Sequence, residues 1–128
     1  MKQFLLGLFL VTTIFVHASP VSDNLATALK NGDATEISSY FDASVDLSIP
    51  KNEGVFSKIQ ARLILKTFFL KNKPSHFNVV HNGNSKNNSH YSIGNLITKQ
   101  GTFRTYILYK ENHKKITILE LKIEAEEE

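Results

Sequence analysis

Five residues of this 128-residue chain have the types and settings that could do chemistry: Asp46, His81, Tyr91, Arg104 and Tyr106. Asp46 alternates with Val45 and Leu47, so its carboxylate points to the face opposite theirs. In a cavity, burial would raise its pKa and make it a general base; on a solvated strand it would do neither. His81 shares the parity of Phe77 and Val79. It reads either as an acid–base group or as a hydrogen-bonded core or rim histidine. Arg104 stands two residues from Tyr106. Its guanidinium could hold a ligand carboxylate bidentately, or form a cross-strand ion pair with Glu120 or Glu124. Tyr91 adds an aromatic face with a hydroxyl.

Other chemistries find little support. His76, His81, His90 and His113 form no i, i+4 pair and have no flanking acidic residues at ligand spacing, so no metal site is expected. The chain has no Cys, which removes disulfides, thiolate metal sites and thiol nucleophiles. Gly83 and Gly94 are isolated and make no phosphate loop. No Gly-x-Ser-x-Gly elbow is present. Asn87-Asn88-Ser89 matches a glycosylation sequon. No cofactor is called for. Tyr91 and Phe103 lack the basic neighbours that nucleic-acid stacking needs, so no nucleic-acid partner is expected.

The elements that must position these residues change character along the chain. Ser22 or Asp23 caps a helix to about Lys30, closed by Asn31-Gly32. Asp33, with Glu36 three residues on, caps a second helix through Tyr40. Residues 45–49 alternate strictly and read as a strand ending at Pro50; Lys51-Asn52-Glu53-Gly54 reads as a turn. Ser57, with Gln60, caps the longest helix, over 57–70. Its expected apolar stripe is Ile59, Leu63, Ile64, Phe68 and Phe69. Asn72-Lys73-Pro74 ends it. The period then changes to 2, and strands are predicted over 77–82, 90–99, 102–110 and 115–124. Short breaks make them an antiparallel meander. Helices first and strands afterwards mean an α+β domain, with one core for a chain of this length.

The last strands are apolar on both faces. One face holds Ile93, Ile97, Phe103, Thr105, Ile107, Tyr109, Ile116 and Ile118; the other holds Leu96, Tyr106, Leu108, Leu119, Leu121 and Ile123. A half-solvated sheet should alternate apolar with polar. Either a second subunit covers one face, with Phe103, Thr105, Ile107, Tyr109, Ile116 and Ile118 as the dimer face, or a bulge at Gly94 or Gly101 switches parity. The expectation is a homodimer.

The N-terminus carries an address. Lys2 precedes an apolar run over 4–14, and Val16-His17-Ala18 before Ser19-Pro20 is a cleavage-site pattern, so residues 1–18 read as a secretory leader and 19–128 as one domain. The run is too short for a membrane span, which takes roughly 20 residues. No Cys follows for lipidation. Cleavage takes away Lys2, one of 15 basic residues, and no acidic ones. The remaining 14 against 12 give a formal +2. That charge is too small, and the Lys residues too scattered, to imply nucleic acid or an anionic membrane. Location after export is periplasmic or secreted.

The element order, with a long third helix across a bent sheet, resembles the cystatin-like, NTF2-like cone fold. Closer likeness lies in particular stretches. Asn31-Gly32-Asp33-Ala34, Tyr40-Phe41-Asp42, Val45-Asp46-Leu47-Ser48-Ile49-Pro50 and Glu53-Gly54-Val55-Phe56-Ser57-Lys58 resemble the front half of DUF4783, a small exported family of Bacteroidetes. Phe68-Phe69, His81-Asn82-Gly83, Tyr91-Ser92-Ile93-Gly94-Asn95-Leu96 and Phe103-Arg104-Thr105-Tyr106 resemble its back half. The resemblance implies three N-terminal helices packed on a bent antiparallel sheet, export and dimerisation. It supplies no catalytic residue. One reading is a purely structural dimer with a filled cone; two functions otherwise stay open. One is a non-enzymatic binding or interaction module taking a small apolar or carboxylate-bearing ligand in a cone-shaped cavity, or a protein partner. The other is a cofactor-free isomerase, dehydratase or hydrolase using Asp46 with His81 or Tyr106; the step from fold to either is analogy.

Overall fold

A computed structural model describes residues 21–126, together with Gly7 and residues 10–12. The expected leader otherwise lies outside the described residues. Among the described residues, no helix is long and apolar enough to cross a membrane.

Local signals place the helices. Helix α1 (Asp23–Asn31) is capped by Ser22, whose side chain accepts from the Leu25 amide at 3.2 Å. Gly32 ends it with φ +62°, a left-handed position that suits glycine. Asp33 Oδ1 then accepts from the Glu36 amide at 3.0 Å and starts α2 (Ala34–Ser39). Helix α3 (Lys58–Lys71) opens with a full capping box: Ser57 Oγ accepts from the Gln60 amide, and Gln60 Oε1 from the Ser57 amide, both at 3.2 Å.

The strands are β1 (Phe41–Ile49), β2 (Asn52–Ser57), β3 (Pro74–Asn84), β4 (Ser89–Thr98), β5 (Gly101–Asn112) and β6 (Lys115–Ala125). They form one sheet in the order β2-β1-β6-β5-β4-β3. The expected meander is present from β3 to β6. Two expectations need correction. Residues 52–54 are not a turn but the start of β2; the reversal is Pro50-Lys51, with φ +74° at Lys51. An edge strand with Asn52, Glu53 and Gly54 has too little apolar alternation to announce itself, and its backbone pairing with β1 holds it. The sheet is not wholly antiparallel, because β1 pairs with β6 in parallel. The strand expected between the second and third helices is present as β1, and β2 joins it there before α3.

Bulges decide which side chains face the helices. Leu108 pairs with Glu120 while Tyr109 pairs with Ile118, so β6 carries one extra residue, Leu119. On its two sides, Ile118 and Leu121 both turn inward and are fully buried. This parity switch, and not one at Gly94 or Gly101, explains the apolar residues at both parities of β6. On β4 the even positions share a face with the odd positions of β5, since Gly94 pairs with Thr105 and Leu96 with Phe103. Hence Leu96 is buried, while Ile93 and Ile97 are only half-buried on the other face.

The expected dimer face is therefore corrected. Phe103, Thr105, Ile107, Tyr109, Ile116 and Ile118 are all buried within the single chain. They belong to the core that joins the sheet to Leu25, Leu29, Ile37, Leu65, Phe68 and Phe69 of the helices. The core residues all lie between Val21 and Ile123. On α3, Ala61, Leu65, Phe68 and Phe69 are buried, but Ile59 and Leu63 of the expected stripe are exposed.

Candidate functional site

The site follows from the core. Once Phe103, Thr105 and Ile107 turn toward the helices, Arg104 and Tyr106 must point away from them. Asp46, between buried Val45 and Leu47, does the same on β1. The bulge at Val80, between the Val79–Gly94 and His81–Ile93 pairs, turns His81 to that side of β3. All five candidates lie on the face the helices leave open, not in a cone interior. The space under the helices is filled by Leu25, Leu29, Leu47, Leu65, Leu96 and Leu121, each without exposure. The expected cone-shaped cavity is replaced there by packed side chains.

Register arranges the open face in rows. Asp46 pairs with Glu120, and Glu120 with Leu108, which pairs with Tyr91. In the next row Ser48 pairs with Lys122, Lys122 with Tyr106, Tyr106 with Ile93 and Ile93 with His81. An aromatic ladder crosses them. The Tyr91 and Tyr106 rings stack with centroids 5.9 Å apart, and the His81 ring lies 5.7 Å from that of Tyr91. His81 Nε2 and the Tyr91 hydroxyl are 3.1 Å apart, the ring tautomer deciding which donates.

The structure brings His81, Tyr91 and Tyr106 together and sets Asp46 apart from His81. Strands β6, β5 and β4 lie between those two, four steps that amount to about 19 Å along the sheet. That pair cannot share one reacting atom. Asp46 has a different neighbour, Glu120, which sequence reading considered only as an ion-pair partner for Arg104. Burial, then the charge of Asp46, pushes the Glu120 carboxyl up from its ordinary value, against a smaller pull from Lys122. Burial, with Glu120 and Tyr91 nearby, raises the Tyr106 hydroxyl, so it remains a donor at neutral pH. Arg104 pairs in register with Glu124, yet the carboxylate goes to Lys122, with Nζ to Oε1 at 3.0 Å. Among the described residues Arg104 makes no ion pair. It stands at a shallow depression of about 350 Å³ shared with Ile93, Tyr106, Glu120, Lys122 and Glu124.

Ile93, Leu108, Glu120 and Lys122 went unnoticed as site residues because their face depends on pairing between distant strands. No group of three His, Asp or Glu side chains is placed to hold a metal ion among the described residues. The face offers an aromatic and aliphatic centre (Tyr91, Ile93, Tyr106, Leu108) with a charged surround (Asp46, Arg104, Lys122, Glu124).

A six-stranded bent sheet backed by three helices, open on its other face, places the molecule among α+β domains of NTF2-like architecture. A chain named as an NTF2 fold with a long sheet superposes at TM-score 0.61, with 13% identity, over 79% of this chain and 94% of that one. The sequence narrows the class. The profile of DUF4783, a domain of unknown function, matches residues 22–124, and the chain belongs to that family. Crystal structures of DUF4783 proteins are similar to it. One from Bacteroides ovatus is 31% identical with TM-score 0.75, covering 84% of this chain and 97% of its own. One from Bacteroides uniformis is 30% identical with TM-score 0.75, covering 84% and 99%. No curated protein matches the chain.

Proposed function

We propose that this protein is an exported, non-catalytic interaction module whose open sheet face is its binding surface, with a second copy of the chain as a first occupant. The carrying observation is the contrast between the two sides of the sheet. Side chains fill the space under the helices, while Tyr91, Ile93, Tyr106 and Leu108 lie half-buried on the uncovered side. Aromatic and aliphatic groups clustered centrally, with charges around them, are the anatomy of a protein interface. Two such faces meeting about a two-fold axis would pack sheet to sheet. The group that meets Arg104 is then a carboxylate, on the partner or on a small ligand seated in the depression.

Export rests on the leader pattern over residues 1–18. Mass spectrometry of the protein recovered from cells should find a chain beginning at Ser19; a chain retaining Met1 or Lys2 overturns export by cleavage. Self-association is tested by sedimentation velocity of the chain from Ser19 onward at tens of micromolar. A dimer is expected, and Ile93→Asp should return it to monomer. A monomer throughout, or a dimer indifferent to Ile93→Asp, overturns the assignment of this face.

A further inference from the structure

On the helical side of the molecule, α3 turns the wrong kind of residue outward. Its inner side is Ala61, Leu65, Phe68 and Phe69. At 3.6 residues per turn, Ile59, Leu63 and Leu70 fall within about 40° of one another on the opposite side. They are 63%, 56% and 78% exposed. A helix apolar on both sides is ordinarily covered on both. Here the second side carries an exposed apolar ridge at Ile59, Leu63 and Leu70, interrupted by Lys66 and Thr67.

The charges around the ridge say what covers it. Lys58, Arg62 and Lys66 follow one another at i, i+4 and i+8 in a row that turns about 40° per step, so that Lys66 comes onto the line of the ridge between Leu63 and Leu70. Lys71 stands on the other flank, and Lys73 follows just after the helix. Helix α3 contains no acidic residue. Two open depressions border the C-terminal half of the ridge. One, about 460 Å³, is lined by Phe69, Leu70 and Pro74 together with Lys66, Lys73 and Asp33. The other, about 350 Å³, is lined by Ile64 and Phe68 together with Lys51 and Lys71. Each sets an apolar floor beside two ammonium groups and so matches a lipid's acyl chain beneath an anionic headgroup.

We infer that the outward face of α3 docks on an anionic bilayer surface, lying in the interface with Ile59, Leu63 and Leu70 inserted and the lysines at the headgroup phosphates. A basic helix whose outward side sets Ile59, Leu63 and Leu70 among lysines has the chemistry of an interfacial, non-spanning contact. Net charge conceals it, because the cations gathered on this helix are offset by carboxylates elsewhere. The site lies apart from the open sheet face, so a molecule on the membrane keeps that face free for a partner.

The test is vesicle flotation of the chain from Ser19 onward, whose core residues all lie between Val21 and Ile123. Vesicles of phosphatidylglycerol with phosphatidylethanolamine are compared with neutral phosphatidylcholine vesicles. Binding is expected to the anionic vesicles and to fade as salt screens the lysines. Each of Lys58→Gln, Lys66→Gln and Lys71→Gln should cut partitioning about fivefold. Leu63→Ser with Leu70→Ser should abolish it while circular dichroism remains that of the folded protein, since neither side chain is in the core. Equal binding to both vesicle types, no binding at low salt, or lysine variants that bind unchanged overturn the inference. So does a dimer that dissociates on Leu63→Ser, which would make the ridge a protein contact.

Discussion

Tyr91 reaches across the β3–β4 pair to bring its hydroxyl within 3.1 Å of His81 Nε2, and it can do so because its registered neighbour is Gly83. A Cβ at Gly83 would lie 2.4 Å from the Tyr91 ring. The missing side chain is the space the ring occupies. The ladder from His81 through Tyr91 to Tyr106 therefore depends on one glycine at the edge of the sheet.

Gly83→Ala should displace the Tyr91 ring, break its contact with His81 and loosen its stack on Tyr106. The cost in stability should be under about 1 kcal/mol, because the end of a half-exposed side chain can swing aside. Gly94→Ala is the contrast. Its Cβ would meet the Phe77 ring at 2.7 Å and the Asn78 carbonyl oxygen at 2.8 Å, and the backbone cannot swing. About 1–3 kcal/mol should be lost there. Urea unfolding of both variants, with aromatic proton shifts for the first, checks the pair; equal losses would contradict the distinction.

Asp46 and Glu120 put two carboxylates side by side on the open face. Burial first, and Asp46 second, raises the Glu120 pKa in the folded protein. A carboxyl raised on folding favours the folded state while protonated. That stabilisation is complete below the unfolded value of about 4.3 and is lost as pH rises through the higher folded value. Glu120→Gln should thus stabilise the protein at neutral pH by about 0.2–1 kcal/mol, the size of a cross-strand like-charge effect. The gain should vanish below about pH 4. Denaturation midpoints on both sides of that pH decide it, and a variant less stable at neutral pH counts against the raised pKa.

What the sequence made legible was local. Ser57 with Gln60, and Asn31-Gly32-Asp33, act within a few residues, so the helix starts and the glycine stop could be read directly. The faces could not. Whether Ile118 or Leu119 points inward depends on an extra residue in β6 set against Leu108 and Tyr109 of β5. Whether Ile93 is core or surface depends on its pairing with Tyr106. The same non-locality hid the site. Asp46, Arg104 and Tyr106 were recognisable as unusual, but their sharing an uncovered face with Glu120 is a fact of register. On α3, apolar spacing alone could not tell the stripe of Leu65 from the ridge of Leu63.

Thr105 is a flaw in the core that substitution should repair. It is fully buried, and its Oγ1 has no hydrogen-bond partner. Valine keeps the shape and removes the hydroxyl, so Thr105→Val should stabilise by about 1 kcal/mol, or roughly 4–8 °C in Tm. The Tyr109 hydroxyl is also buried without a hydrogen-bond partner; burial raises its pKa, with a smaller opposing pull from Ser92. With Ser92 beside it, Tyr109→Phe should gain less than Thr105→Val. Calorimetry that finds Thr105→Val less stable than the parent would mean the hydroxyl is satisfied in solution.

Leu63 and Leu65 sit two residues apart on one helix with opposite fates. Leu65 has no exposure, while Leu63 is more than half exposed. Truncating Leu65 opens a cavity between α3 and the sheet, and Leu65→Ala should cost about 2–5 kcal/mol. Leu63→Ala removes a side chain that contributes little burial, so the change should stay within about 0.5 kcal/mol. Unfolding free energies for the two variants at low protein concentration, where association is negligible, read the difference directly. A large loss for Leu63→Ala would show that the outward ridge is packed in the isolated chain. Near-neutrality would leave Leu63 without a folding role, and the reason for an apolar residue there must then be sought in what docks against α3.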